Sequence, residues 1–215
     1  MPSRDLLIEI GTEELPPKAL RRMRDALQTS LDTLLDENRL AHGSSHAYAT
    51  PRRLALLIRD VPEAQPDREV TKRGPALKAA FDADGRPTKP AEGFARSCGV
   101  TISELEELQT DKGSWLVYHS TESGQASSDV IPGLVEKALK TLPMPKRMRW
   151  GSSDIEFVRP LHWMVLLFGD EAISANVLGI DSGRYSRGHR YHRNEANAID
   201  RASAYVQTLQ QDGMV

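Results

Sequence analysis

Residues 6–20 read LLIEIGTEELPPKAL, and this stretch decides how the chain begins. Leu6, Ile8 and Ile10 alternate with other residues and Gly11 ends the run, the pattern of a first strand. Pro16 and Pro17 come next, where the missing N–H costs a helix start little. Leu20, Met23, Leu27, Leu31 and Leu34 then recur every three or four residues, so one face of a long helix is buried. Gly43 and Ser44 end it. Tyr48 and, after Pro51, the apolar run Leu54–Ile58 predict two extended pieces or one bent one. A strand, a long helix and a strand pair begin an α+β protein, with mixed or antiparallel sheets and packed helices. Residues 1–61 form the expected amino-terminal lobe.

From 62 to 112 the pattern breaks. Pro62, Pro66, Pro75, Pro87 and Pro90, with Gly74, Gly85 and Gly93, interrupt any long element, so an irregular connection is expected, with short helices around Ala76–Phe81 and Glu92–Cys98. Ser103 with Glu106 reads as the capping box of a short acidic helix. A second α+β lobe is expected over 113–200. It holds a strand at Trp115–His119 after the turn Asp111-Lys112-Gly113, and an amphipathic helix capped by Ser128 or Asp129 and stopped by Pro143 and Pro145. Strands at Trp163–Phe168 and Ala172–Leu178 follow, joined by the hairpin-type turn Gly169-Asp170. Residues 201–215 read as the start of a helical segment, with Met214 and Val215 lacking an evident packing partner and the end there resembling a domain cut.

The 215 residues suffice for one sizeable domain or two small ones, and 39% hydrophobic with 27% charged residues fits a globular chain. Lys+Arg at 28 against Asp+Glu at 30 means that polyanion binding would have to come from local clusters. Cys98 is the single cysteine, which excludes an internal disulfide or thiolate cluster and fits a reducing, cytoplasmic setting. The first residues lack a signal-peptide core, and Trp163–Phe168, the longest apolar run, is far too short for a bilayer, so no membrane partner is expected.

Several clusters can carry chemistry. Glu9, Glu13 and Glu14 can hold a cation or act as acid and base; alternatively Thr12 caps a helix whose first turn takes glutamates for the macrodipole. Glu9 lies inside an apolar strand and, once buried, needs a cationic partner. Arg52 and Arg53 stand at a strand entrance, where alternation sends at most one inward. An internal salt bridge and a ligand cleft both remain open for these five residues. Lys72 and Arg73 make a small basic turn with Gly74. Lys146, Arg147 and Arg149 precede Trp150, either an RNA-stacking surface or a solvated cluster beside a core tryptophan. The densest signal is Arg184, Arg187, His189 and Arg190, followed by His192 and Arg193, a segment able to grip several phosphates. His189 and His192 lack a third ligand nearby, so no metal site is expected. His162 reads as a satisfied, partly buried histidine. No phosphate loop, dinucleotide fingerprint, zincin, kinase or synthetase signature is present, so no catalytic residue is assigned.

With these segments in view, the chain closely resembles the beta subunit of the bacterial two-subunit (α2β2) glycyl-tRNA synthetase. The likeness runs through LLIEIGTEELPPKAL (6–20), ATPRRLALLI (49–58), AQPDREVTKRGPALKAAFDADGRPTKPAEGFAR (64–96), TDKGSWLVY (110–118), LPMPKRMRWGSSDIEFVRPLHWMVLLFG (142–169) and LGIDSGRYSRGHR (178–190). The resemblance implies a translation enzyme, a glycine–tRNA ligase, of which this chain is the amino-terminal part and by itself non-catalytic. It implies that ATP and Mg²⁺ serve glycyl-adenylate formation on the alpha subunit. The implied partners are that alpha subunit, tRNA(Gly) and a second beta subunit. It also suggests kinship with the B3/B4-type domain of the phenylalanyl enzyme's beta subunit, a fold analogy only. Three roles then compete: tRNA and subunit binding, hydrolysis of a mischarged ester by a cleft of Glu9, Glu13 and Arg52, and a purely architectural part.

Overall fold

The computed structural model describes residues 2–82, 84–111, 113–151 and 154–215. By contact density the chain forms two compact units, Met1–Gln65 with Gln125–Val215, and Pro66–Gly124. Its class is α+β, with mixed and antiparallel sheets.

In the first unit, β1 (Ser3–Thr12) leads through an extended link into α1 (Pro17–Glu37). Helix α1 buries Met23, Leu27, Leu31 and Leu34 as expected from their spacing, and Leu35 in addition, while Leu20 is half-buried beside them. Each fully buried leucine there contributes ~1.5–3 kcal/mol. Thr12 does not cap this helix. It ends β1 fully buried, its hydroxyl donating to the Glu13 carbonyl, and the helix begins five residues later with no acidic side chain in its first turn. Glu13 and Glu14 therefore lie in the link, and macrodipole pairing does not explain them. Strands β2 (Ser45–Thr50) and β3 (Arg53–Pro62) form a hairpin about Pro51 and Arg52, and β3 pairs antiparallel with β1.

In the second unit, β4 (Arg68–Ala76) runs directly into α2 (Leu77–Ala80), followed by α3 (Lys89–Cys98), β5 (Glu106–Thr110) and β6 (Gly113–Glu122). The sheet order is β4-β6-β5, and Leu116 packs with Ala80 and Ala91 beneath the two short helices. Both helices were legible, but the strand through residues 68–76 was not. An exposed, charged edge strand buries too little to show apolar alternation. The capping box belongs to Thr101 and Glu104 on a single 3-10 turn, and residues 106–110 are strand, not helix. The turn expected at Asp111-Lys112-Gly113 includes Lys112, which lies outside the described residues.

Back in the first unit, α4 (Ser127–Lys140) opens at Ser127. That residue is fully buried, and its hydroxyl donates to the Pro62 carbonyl without capping its own helix. Strands β7 (Leu161–Phe168), β8 (Glu171–Ala172), β9 (Asn176–Val177) and β10 (Ile180–Gly183) complete a seven-stranded sheet, ordered β2-β3-β1-β7-β10-β9 with β8 on β7. The β7–β10 pairing is parallel, which makes the sheet mixed. Gly169 opens the β7–β8 turn at φ 65°. Leu6, Ile8, Ile10, Met164 and Leu166 face α1 and α4 on one side of this sheet. On the other side Leu7, Leu57, Val165 and Leu167 meet Ile199, Tyr205 and Leu209. This second layer comes from the ribbon β11 (Tyr185–Arg187) and β12 (Ala196–Ala198) with α5 (Tyr205–Gln211). The final residues thus have a partner that the sequence did not reveal: Val215 packs on this cluster, and the Gly213 carbonyl accepts from the His189 N–H.

Candidate functional site

Period-2 alternation puts Glu9 on the second face of the sheet, among Leu7, Trp163 and Val165, where it is 0% exposed. A bare carboxylate there would be costly. Its Oε1 accepts from the Trp163 indole N–H at 2.5 Å and from the Ser186 hydroxyl at 2.6 Å, and its Oε2 lies 3.6 Å from Arg53 Nη1. Arg53 is the residue of the arginine pair that turns inward, 4% exposed, and its Nη2 donates to the Arg187 carbonyl at 2.5 Å. Tyr205 completes the cluster from α5. Burial first, then the neighbouring Glu9 charge, pushes its hydroxyl well above the ordinary value of 10.0. Five elements meet around this carboxylate: β1, β3, β7, the β11 ribbon and α5.

Arg52, in the turn, points along the other branch. Its Nη2 lies 3.4 Å from Glu13 Oε1, and His162 Nε2 lies 3.0 Å from the same oxygen. His162 is therefore exposed and paired, not half-buried in a core. Glu13 and Glu14 are fixed through the backbone, Glu13 N–H donating to the Pro160 carbonyl and Arg159 Nε to the Glu14 carbonyl.

Above the Glu9 cluster opens a cleft of about 420 Å³ whose lining includes Arg52, Arg53, Trp163, Arg187, His189 and Arg190. The Arg187 guanidinium stands 6.0 Å from the Trp163 ring centroid. Arg190 pairs with Glu14 at 3.4 Å and lies 5.6 Å over the ring of Tyr191, a residue 81% exposed. Arg52 Nε and Arg53 Nε are buried without a hydrogen-bond partner among the described residues. The cleft thus joins guanidinium donors to an aromatic surface, a combination that binds anions and stacks planar groups. Glu9 sits beneath this cleft and does not line it. As a base for ester hydrolysis it would have to reach substrate through Trp163 and Ser186.

The other predicted residues divide. Arg184 is a structural clasp, donating to the carbonyls of Asp170, Ile199 and Asp200 at 3.0–3.4 Å. His189 accepts the Tyr191 and His192 N–H groups at Nδ1, and its ring lies 4.5 Å from that of His192. Arg147 donates to the Lys140 carbonyl and Arg149 to Glu156, while Lys146 is exposed. Trp150 is half-buried against the first-face core, so its ring is not a free stacking surface. Lys72 and Arg73 belong to the second unit and lie in strand β4, not a turn; Arg73 stacks 3.7 Å over Trp115. Among the described residues no group of three or more His, Cys, Asp and Glu side chains is placed to hold a metal, and no helix is long and apolar enough to cross a membrane. Trp163, Ser186 and Tyr205 belong to no motif that would assign them to a site from sequence. Only Ser186 left a sequence signal, as the inward position between outward Tyr185 and Arg187.

Fold and site together define an α+β protein whose mixed sheet carries an arginine-lined cleft on one face. A family model described as the glycyl-tRNA synthetase beta subunit matches residues 6–215. Glycine–tRNA ligase beta subunits of Erwinia tasmaniensis and Edwardsiella ictaluri are each 51% identical to the chain over 215 residues, all of it and 31% of their own length. That of Shigella dysenteriae serotype 1 is 49% identical over the same span. The chain belongs to the glycyl-tRNA synthetase beta subunit family. It spans 31% of the length of these relatives, at their amino-terminal end.

Proposed function

We propose that this region binds tRNA for a glycine–tRNA ligase, with the cleft over Trp163 as its RNA-contacting surface. Glycine activation with ATP and Mg²⁺ belongs to an alpha subunit in a cytoplasmic α2β2 assembly. The observation that carries the reading is the set of four arginines lining one cleft, with Arg187 and Arg190 exposed at it. Phosphate oxygens and base edges supply acceptors for such exposed guanidiniums. The fully buried Glu9 favours a binding role over hydrolysis, because it does not line the cleft, and Glu14, which does, is paired with Arg190.

The test is tRNA binding by the full-length subunit, assembled with its alpha partner, as salt is varied. Arg187→Glu should weaken binding on the order of tenfold and flatten the log-affinity against log-salt slope by about 1. Unchanged affinity and slope, with melting temperature also unchanged, would remove the cleft from tRNA binding.

A further inference from the structure

We propose that the cleft is one end of a continuous track for single-stranded RNA, running from Arg187 past Arg190 and Arg159 to Lys18 and Arg22 on α1. It rests on the RNA-binding reading above and extends it to a face that no motif marked. The cleft shares Glu14, Pro51 and Arg190 with a second depression floored by Pro16 and Pro17 and walled by Arg159. That depression shares Pro16 with a third, formed by Lys18, Arg22 and the Pro143–Pro145 stem. Each hollow shares at least one wall residue with the next, and it is this adjacency that suggests one groove.

Charge along the groove is one-sided. Arg52, Arg187, Arg190, Arg159, Lys18 and Arg22 face it, against the two carboxylates Glu13 and Glu14; these pair with Arg52 and Arg190, which leaves Arg187, Arg159, Lys18 and Arg22 outside any ion pair among the described residues. Among the described residues Lys18 and Arg22 are exposed and have no ion pair. Lys18 also stands in the first turn of α1, where a cation opposes the helix macrodipole and acidic side chains are absent, and Arg22 lies one turn further on. That placement costs the helix stability by itself and is relieved by a bound polyanion.

The path selects a flexible ligand. The Trp163 end belongs to the second face of the sheet, while α1 and Met144 pack on the first, so the groove turns over the end of β1. Duplexes are stiff over lengths far greater than a domain. A single strand follows such a turn, and the exposed Tyr191 ring at the cleft rim offers a base-stacking platform.

The experiment uses the full-length subunit with oligouridylates of increasing length and with whole tRNA. Lys18→Glu/Arg22→Glu should weaken long oligonucleotides on the order of tenfold, flatten the salt slope by ~0.7 per lost contact, and leave a dinucleotide unaffected. Arg187→Glu should weaken both long and short ligands. Lys137→Glu on α4, away from the groove, should change neither. Long oligonucleotides indifferent to the α1 variant but sensitive to Arg187→Glu would overturn the track and leave the cleft standing. Indifference to both would overturn the cleft as well. Loss of alpha-subunit recovery with RNA affinity intact would make this face a protein dock and overturn the proposal.

Discussion

A methyl group on Gly11 would lie 1.9 Å from the Trp163 ring carbons, so the indole rests directly on the backbone of β1. Gly11 and Trp163 are cross-strand partners, and this contact aims the indole N–H back at Glu9. Gly11→Ala should expel the ring, break that hydrogen bond and lower stability by about 2–4 kcal/mol. Urea denaturation of the variant checks it, and a midpoint equal to wild type would show that the strand yields instead. Because Trp163 floors the cleft, the variant should also lose RNA affinity.

Glu9 and Arg53 should behave as one unit. Glu9→Gln keeps acceptors for Trp163 and Ser186 but leaves the 4% exposed Arg53 without its counter-charge, at ~3–5 kcal/mol. Adding Arg53→Met removes the stranded cation, so the double variant should be more stable than the sum of the singles by about 1–3 kcal/mol. A thermodynamic cycle measures the coupling; simple additivity would mean that the 3.6 Å contact carries no net energy.

How much of this could be read beforehand depends on periodicity. The α1 stripe and the alternating cores of β1 and β7 follow from burial on defined faces; only one of Arg52 and Arg53 turns inward, as expected, but because Arg52 lies in the turn before β3 and not by alternation within it. Strand β4 did not follow, because an edge made of charged residues has no buried face to register. Thr12 misled for a different reason: a hydroxyl before a glutamate pair looks like a helix cap, yet two prolines postpone the helix to residue 17. The Glu9 cluster joins residues as far as 196 positions apart, Glu9 to Tyr205, and only tertiary structure brings these together.

Within the basic segment, Arg184 and Arg187 should separate cleanly. Arg184 donates to three backbone carbonyls, so Arg184→Ala should cost about 1–3 kcal/mol of stability. Arg187 is exposed at the cleft, and Arg187→Ala should leave the melting temperature within experimental scatter while weakening tRNA binding. Parallel thermal melts and binding curves decide the matter, and equal melting losses in both variants would count against this division.

The Tyr205 hydroxyl gives the fold a specific weakness to alkali. Burial and the Glu9 charge raise its folded value above the ordinary 10.0, so the native state keeps the proton longer than the unfolded chain does. Its contribution is therefore fully present below pH 10 and is lost as the pH climbs beyond it, at up to ~1.4 kcal/mol per pH unit. This hydroxyl makes no hydrogen bond of normal geometry among the described residues, although it lies close enough to Glu9 and Arg53 to interact with both, so Tyr205→Phe should cost little at pH 7. Above pH 10 the phenylalanine variant should lose less stability than wild type, so the two curves cross or converge in its favour. Denaturation of both proteins across that range provides the comparison. Parallel curves would mean that the phenol ionises as easily in the fold as in the unfolded chain, without regard to burial or to Glu9, which would require water to reach a cluster that the second layer of the sheet now seals.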